Sequence, residues 1–105
     1  MRMKRLSAVL VEAAGEWCAE HGKTLLHWCF GCESLHPINV EKPNSCNAQW
    51  SWDGNADAPT FNPSINIVGR CHYFIHGGQI KYQGDCAHKL AGQTVPLPPI
   101  PEDSL

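Results

Sequence analysis

The chain has 105 residues, of which 17% are charged, and a formal net charge of −2. That length holds one domain. The weak negative charge excludes bulk electrostatic attraction to nucleic acid or to an anionic membrane surface, and 9 Gly and 8 Pro among few charges point to a loop-rich, mainly β fold (small α+β) rather than a helical bundle.

Taken in chain order, residues 1–23 form a separate N-terminal segment. Leu6, Leu10, Ala13, Ala14, Trp17 and Cys18 fall at helical spacing, with Ser7 as a cap and Gly22 as a stop, so a short helix is predicted. Gly15 and the strand-like run Ser7 to Glu12 oppose that reading. Residues 24–98 read as a β-rich domain. Thr24 to Phe30 is a strand, Gly31-Cys32-Glu33 turns the chain, and His36 to Val40 returns. Trp50 and Trp52 alternate onto one face, and Asp53-Gly54-Asn55 is a turn. Pro59 and Pro63 bracket Thr60-Phe61-Asn62, which is therefore expected to be extended but not a central strand. Ser64 to Val68, Cys71 to Ile75, Gln79 to Tyr82 and Gln93 to Leu97 are further strands, with His76-Gly77-Gly78 a hairpin turn. Asp85 to Gly92 fits one helical turn ended by Gly92. Pro96, Pro98, Pro99 and Pro101 predict an extended C-terminal segment, with residues 99–105 a flexible tail.

Six Cys in so short a chain signal either disulfides or a metal. The apolar run Leu6 to Val11 is short, is broken by Ser7 and is followed by Glu12 and Glu16, so no export signal is expected. No stretch reaches the roughly 18–20 apolar residues of a membrane span. The expectation is a cytoplasmic protein whose reduced thiols bind one zinc ion. A disulfide framework and free buried thiols are the alternatives.

Cys29-Phe30-Gly31-Cys32 is a Cys-x2-Cys turn, whose two sulfurs curl toward one point and can fill two corners of a tetrahedron. Cys71 and Cys86 flank the ends of the Tyr73–Tyr82 hairpin, which can bring them together as the other half of the site. The expected ligands are Cys29, Cys32, Cys71 and Cys86, with His36, His72 and His88 as substitute candidates. Those three histidines converge wherever the thiols do. Together with Asp85 they can orient the ligands from behind or form an open, water-activating site. Thr60 and Ser64 offer hydroxyls nearby, and an ordinary loop hydrogen-bonding role is favoured for both. Cys18 reads as a buried small hydrophobe and Cys46 as an exposed thiol. His21, His27 and His76 read as ordinary polar positions.

Several motifs agree in order with a known family. These are Cys29-Phe30-Gly31-Cys32 with His36, Trp50 to Gly54, Ala58 to Ser64, Cys71-His72-Tyr73-Phe74, Gly78-Gln79-Ile80 and Asp85 to Val95. In these the chain resembles a family of small phage and prophage proteins of unknown function, often labelled ammonia monooxygenase. The resemblance covers roughly Leu26 to Pro98 and implies a phage or mobile-element origin and a small zinc-bound, knuckle-like domain. Phe30 stands where that family usually has Pro, and Asn62 where it usually has Ser. The labelled chemistry belongs to a membrane copper enzyme and does not fit a chain without a membrane span.

The reading favours a non-enzymatic accessory protein that binds a host or phage protein, with countering a host defence as one such role. A closed thiolate site has no open position for catalysis. The alternative is a small metal-dependent hydrolase using His36, His72, Asp85 and His88. Nucleic acid fits poorly as a partner, and the oligomeric state is left open. A Cys32→Ala variant is expected to lose most of its fold, because structural zinc contributes folding free energy directly. Thermal unfolding followed by circular dichroism checks this, and a stably folded, zinc-free variant would contradict the structural role.

Overall fold

The computed structural model describes residues 2–14 and 21–105. Among them nine strands build two antiparallel sheets. The first has the order β1 (Arg2–Arg5), β2 (Val11–Ala14), β3 (Thr24–Cys29) and β4 (Ser34–Asn39). The second has the order β5 (Ser51–Trp52), β6 (Phe61–Ile67), β7 (Cys71–His76), β8 (Gln79–Tyr82) and β9 (Thr94–Pro96). The mainly β architecture agrees with the sequence, and both hairpins that carry the cysteines form where expected.

The sheets meet through period-two alternation. On β7, Cys71, Tyr73 and Ile75 are buried while Phe74 and His76 are exposed and His72 is half-buried. Those inward residues pack with Phe61, Ile65, Ile80 and Tyr82 of their own sheet, with Leu25, Cys29 and Ile38 of the first, and with Leu10 just before β2. Strand β3 is buried on both faces. Leu25, His27 and Cys29 face the second sheet, whereas Leu26 packs with Val11, Ala13 and Ile100 on the other side.

Four expectations are corrected here. Residues 2–14 form a β-hairpin, with Arg5 opposite Val11 and Met3 opposite Ala13, rather than a helix. Burial explains the choice, because Val11 and Ala13 alternate into the core as strand residues do. Trp17 and Cys18 lie outside the described residues. Phe61 pairs with both Trp52 and Ile75, so β6 does have a neighbour on each side despite Pro63. The β6–β7 ladder is interrupted between Phe61 and Ile65, so Pro63 sits in a bulge where its missing N–H removes no rung. Finally, the C-terminal segment is docked rather than loose at Ile100, which is buried and whose N–H donates to the Ala8 carbonyl at 2.9 Å. It ends in a 3-10 turn, Glu102–Ser104. Asp85 to Gly92 forms successive turns and bends rather than a helical turn, with Gly92 at φ +78 as its role in ending the segment requires.

Between the sheets lies a polar cluster. The Tyr73 hydroxyl is 2.6 Å from His27 Nε2 and 3.1 Å from His36 Nδ1. His27, read from the sequence as an ordinary polar position, is fully buried. Burial, with the neighbouring His36 adding to it, lowers its pKa to about 3. Burial likewise lowers His36 to about 4, helped by the charges of Arg70 and His88. Both rings are therefore held neutral in the fold. An unfolded chain binds more protons than the native one from the ordinary histidine pKa of 6.5 down to these values, so stability is fully present above 6.5 and falls as pH drops through that window. By NMR, the ring resonances of His27 and His36 should not titrate between about pH 5 and pH 7. A midpoint near the ordinary value for either ring would contradict their burial.

Candidate functional site

Strand β3 ends at Cys29 and β4 begins at Ser34, so Phe30 to Glu33 is the hairpin tip. Cys29, the last residue of β3, and Cys32 in the tip meet Cys71 at the start of β7 and His88 in the turn after β8. The donor atoms of Cys29, Cys32, Cys71 and His88 all lie within 4.8 Å of one another. His88 Nε2 is 3.3 Å from Cys71 Sγ and 3.9 Å from Cys29 Sγ. Tetrahedral zinc, with sulfur at about 2.3 Å and nitrogen at about 2.0 Å, separates such donors by about 3.6 Å. The donor set and its spacing therefore fit one zinc-like ion. The Cys32 N–H donates to Cys29 Sγ at 3.4 Å, and the Tyr82 hydroxyl lies 3.1 Å from the same sulfur. Burial pushes the Cys71 thiol far up, and the neighbouring sulfurs of Cys29 and Cys86 add to it. Burial first, then Cys29, also raises Cys32. Crowded sulfurs resist ionising beside one another, and a divalent cation at their centre reverses that penalty.

Gly31 makes room for the fourth ligand. A Cβ at this position would lie 2.3 Å from Cγ and Nδ1 of His88. The imidazole thus lies directly on the backbone of the Cys-x2-Cys turn, and no larger residue fits between them.

The structure brings His88 into this group, where the sequence reading preferred Cys86. Cys86 Sγ is 4.0 Å from Cys71 Sγ but is engaged elsewhere. It donates to the His72 carbonyl at 3.0 Å and accepts the His72 N–H at 3.2 Å. The Gln83 N–H also donates to the His72 carbonyl, at 2.8 Å, and the Ala87 N–H to the Arg70 carbonyl, at 2.9 Å. These bonds tie the turn that carries Asp85 to the strand that carries His72. His36 lies in the buried cluster with Tyr73, and its Nε2 is buried with no hydrogen-bond partner among the described residues.

His72 follows Cys71 on β7 and so points the opposite way, to the outer face. Asn66 of β6 is directly opposite His72, which puts Ser64, two residues along, on that same face. There His72 Nε2 is 3.3 Å from Ser64 Oγ, and His72 Nδ1 is 3.3 Å from each oxygen of Asp85. With the carboxylate accepting the Nδ1–H, the Nε2 lone pair is directed at the Ser64 hydroxyl. Thr60, the other hydroxyl singled out from the sequence, accepts the Gly77 N–H at 2.8 Å and has the ordinary loop role expected of it. The sequence reading gave Ser64 that same role. The alternation of Ser64 and Asn66 opposite His72 was the available signal.

A two-sheet β protein with a Cys3His cluster inside and a Ser–His–Asp array outside is the class that fold and site define. The chain belongs to the family described as the bacterial ubiquitination-like system serine protease (BubE), whose match spans residues 4–83. That range contains Ser64 and His72 and stops short of Asp85. No curated protein and no solved structure matches the chain. No helix among the described residues is long and apolar enough to cross a membrane.

Two variants separate the roles of the cysteine cluster. Gly31→Ala should displace His88 and lower metal content well below one ion per chain, whereas Cys86→Ala should retain the ion. Elemental analysis of the purified variants checks both. Full metal content in Gly31→Ala, or its loss in a folded Cys86→Ala protein, would contradict the ligand set.

Proposed function

We propose that the chain is a serine peptidase of a bacterial ubiquitination-like system, with Ser64 as nucleophile, His72 as general base and Asp85 as the carboxylate that orients it. The observation that carries this reading is the hydrogen-bonded line from Ser64 Oγ through both ring nitrogens of His72 to Asp85. Such a constellation is recognised by geometry and roles, whatever the order of its residues in the chain. The family description adds the reaction class. The bond attacked is then a peptide or isopeptide bond formed within that system.

In this reading His72 Nε2 takes the Ser64 proton as Oγ attacks the carbonyl carbon. Asp85 stabilises the imidazolium through Nδ1–H. His72 then passes the proton to the leaving amine as the carbon–nitrogen bond breaks, leaving an acyl group on Ser64. A water molecule, deprotonated by the same imidazole, releases that acyl group as a carboxylate and restores the serine. The 3.3 Å separations suit a resting site whose bonds shorten when substrate is bound. Asp85 is exposed, so a substrate that covers it also strengthens its interaction with His72 by excluding water.

Cys29, Cys32, Cys71 and His88 would hold a metal in this scheme, and it would supply structural cross-linking. Cys71 is adjacent to His72, and His88 is three residues beyond Asp85. The alternative of a metal-dependent hydrolase is less well supported, because His72 and Asp85 face Ser64 and His88 faces the thiols. The phage or prophage origin implied by the motif resemblance is compatible with this function and belongs to the same proposal.

A fluorophosphonate ester reports the nucleophile without knowledge of the substrate. It should label the protein at Ser64, with Ser64→Ala unlabelled and His72→Ala slowed by about a thousandfold or more. Mass spectrometry locates the adduct. Equal labelling of wild type and Ser64→Ala would overturn the assignment.

A further inference from the structure

The nucleophile lies on a strand whose edge is left open. Strand β5 pairs with β6 only at Phe61 and Asn62. Beyond them the edge of β6 faces the segment around residues 44–50, across a groove of about 430 Å³ that Ser64 and Asn66 also line. The Trp50 indole N–H donates to the Ser64 carbonyl at 3.1 Å, which shows that this carbonyl points into the edge rather than toward β7.

Asn66 follows the same alternation. It is opposite His72, whose own N–H and C=O are bonded on the β8 side, to Cys86 and Gln83. An antiparallel pair oriented in that way exchanges no bonds, so the Asn66 N–H and C=O point outward to the open edge. Neither bonds to a turn or loop backbone group among the described residues. Open strand edges are usually shortened, charged or covered. This one carries no charged side chain. The groove beside it is lined by Asn44, Asn47, Ala48, Gln49 and Trp50.

We propose that the substrate binds as an added β-strand along this edge, an extended and uncharged stretch of peptide whose backbone pairs with Asn66 and brings its scissile carbonyl to Ser64. This inference rests on the assignment of Ser64 as nucleophile and names the form of its substrate. An added strand lies about 4.8 Å from its neighbour and alternates its amides, one toward the edge and the next away. The uncharged lining offers no partner to a charged side chain buried against it. A folded segment or a helix cannot present its backbone N–H and C=O groups to Asn66, because its own hydrogen bonds already use them.

The test uses acetyl-Ala-Ala-Ala ending in the diphenyl phosphonate analogue of alanine, and a set of the same probe carrying one N-methyl group at each amide in turn. In the reaction Ser64 Oγ forms a bond to phosphorus and phenol leaves with the proton that His72 has taken. Methylation should slow modification of Ser64 by about tenfold at amides facing the edge and by less than about twofold at the amides between them. That alternation would not arise from a loss of flexibility alone. Uniform sensitivity, no sensitivity, or no reaction of the peptidyl probe would overturn the edge-pairing proposal, provided that a simple fluorophosphonate ester still labels Ser64. Failure of that simple ester as well would show that the nucleophile assignment itself is wrong.

Discussion

Convergence of Cys29, Cys32, Cys71 and His88 is the constraint on which the rest of the structure depends. These four side chains come from the tip of one hairpin, the first residue of β7 and the turn after β8, so they join the two sheets at one end. In a chain of this size the apolar core alone is modest, and a metal held by these four residues would add a cross-link to it. Burial raises the Cys71 and Cys32 thiols, so the cluster is unfavourable for several thiolates alone and well suited to a cation that keeps them ionised. Gly31 and Cys86 serve this arrangement in different ways. One clears space for the imidazole, and the other closes the neighbouring turn onto the His72 backbone.

The same strand then serves two chemistries through the pleat. Cys71 points in toward the thiol cluster and His72 points out toward Ser64 and Asp85. The turn from Gln83 to His88 repeats the division, with Asp85 outside and His88 inside. Any displacement of the Cys3His residues would therefore be felt at the outer array, through Cys71 beside His72 and His88 near Asp85. The neutral His27–Tyr73–His36 cluster lies beneath these residues and fixes the inward side of β7 by hydrogen bonding rather than by charge.

Much of this was legible in the sequence because it depends on local pattern. The Cys-x2-Cys hairpin, the Cys71–Tyr82 hairpin and the β-rich class follow from alternation and turn residues, and the relevance of His72, His88 and Asp85 follows from their closeness to cysteines. What escaped depends on tertiary placement. The choice between Cys86 and His88 turns on a thiol bonding a strand backbone, which spacing alone does not encode. Ser64 follows Pro63, a setting that suggests an ordinary loop role, yet the bulge at that proline leaves it facing His72. The N-terminal apolar residues suited both periods, and burial of Val11 and Ala13 against Leu26 and Ile100 selected the strand.

Zinc-edge X-ray absorption of the zinc-loaded protein tests the central constraint most directly. The account predicts three sulfur neighbours at about 2.3 Å and one nitrogen at about 2.0 Å. Four sulfur neighbours would return Cys86 to the metal and contradict the arrangement that holds His72 and Asp85 together, and an oxygen neighbour would contradict a closed structural site.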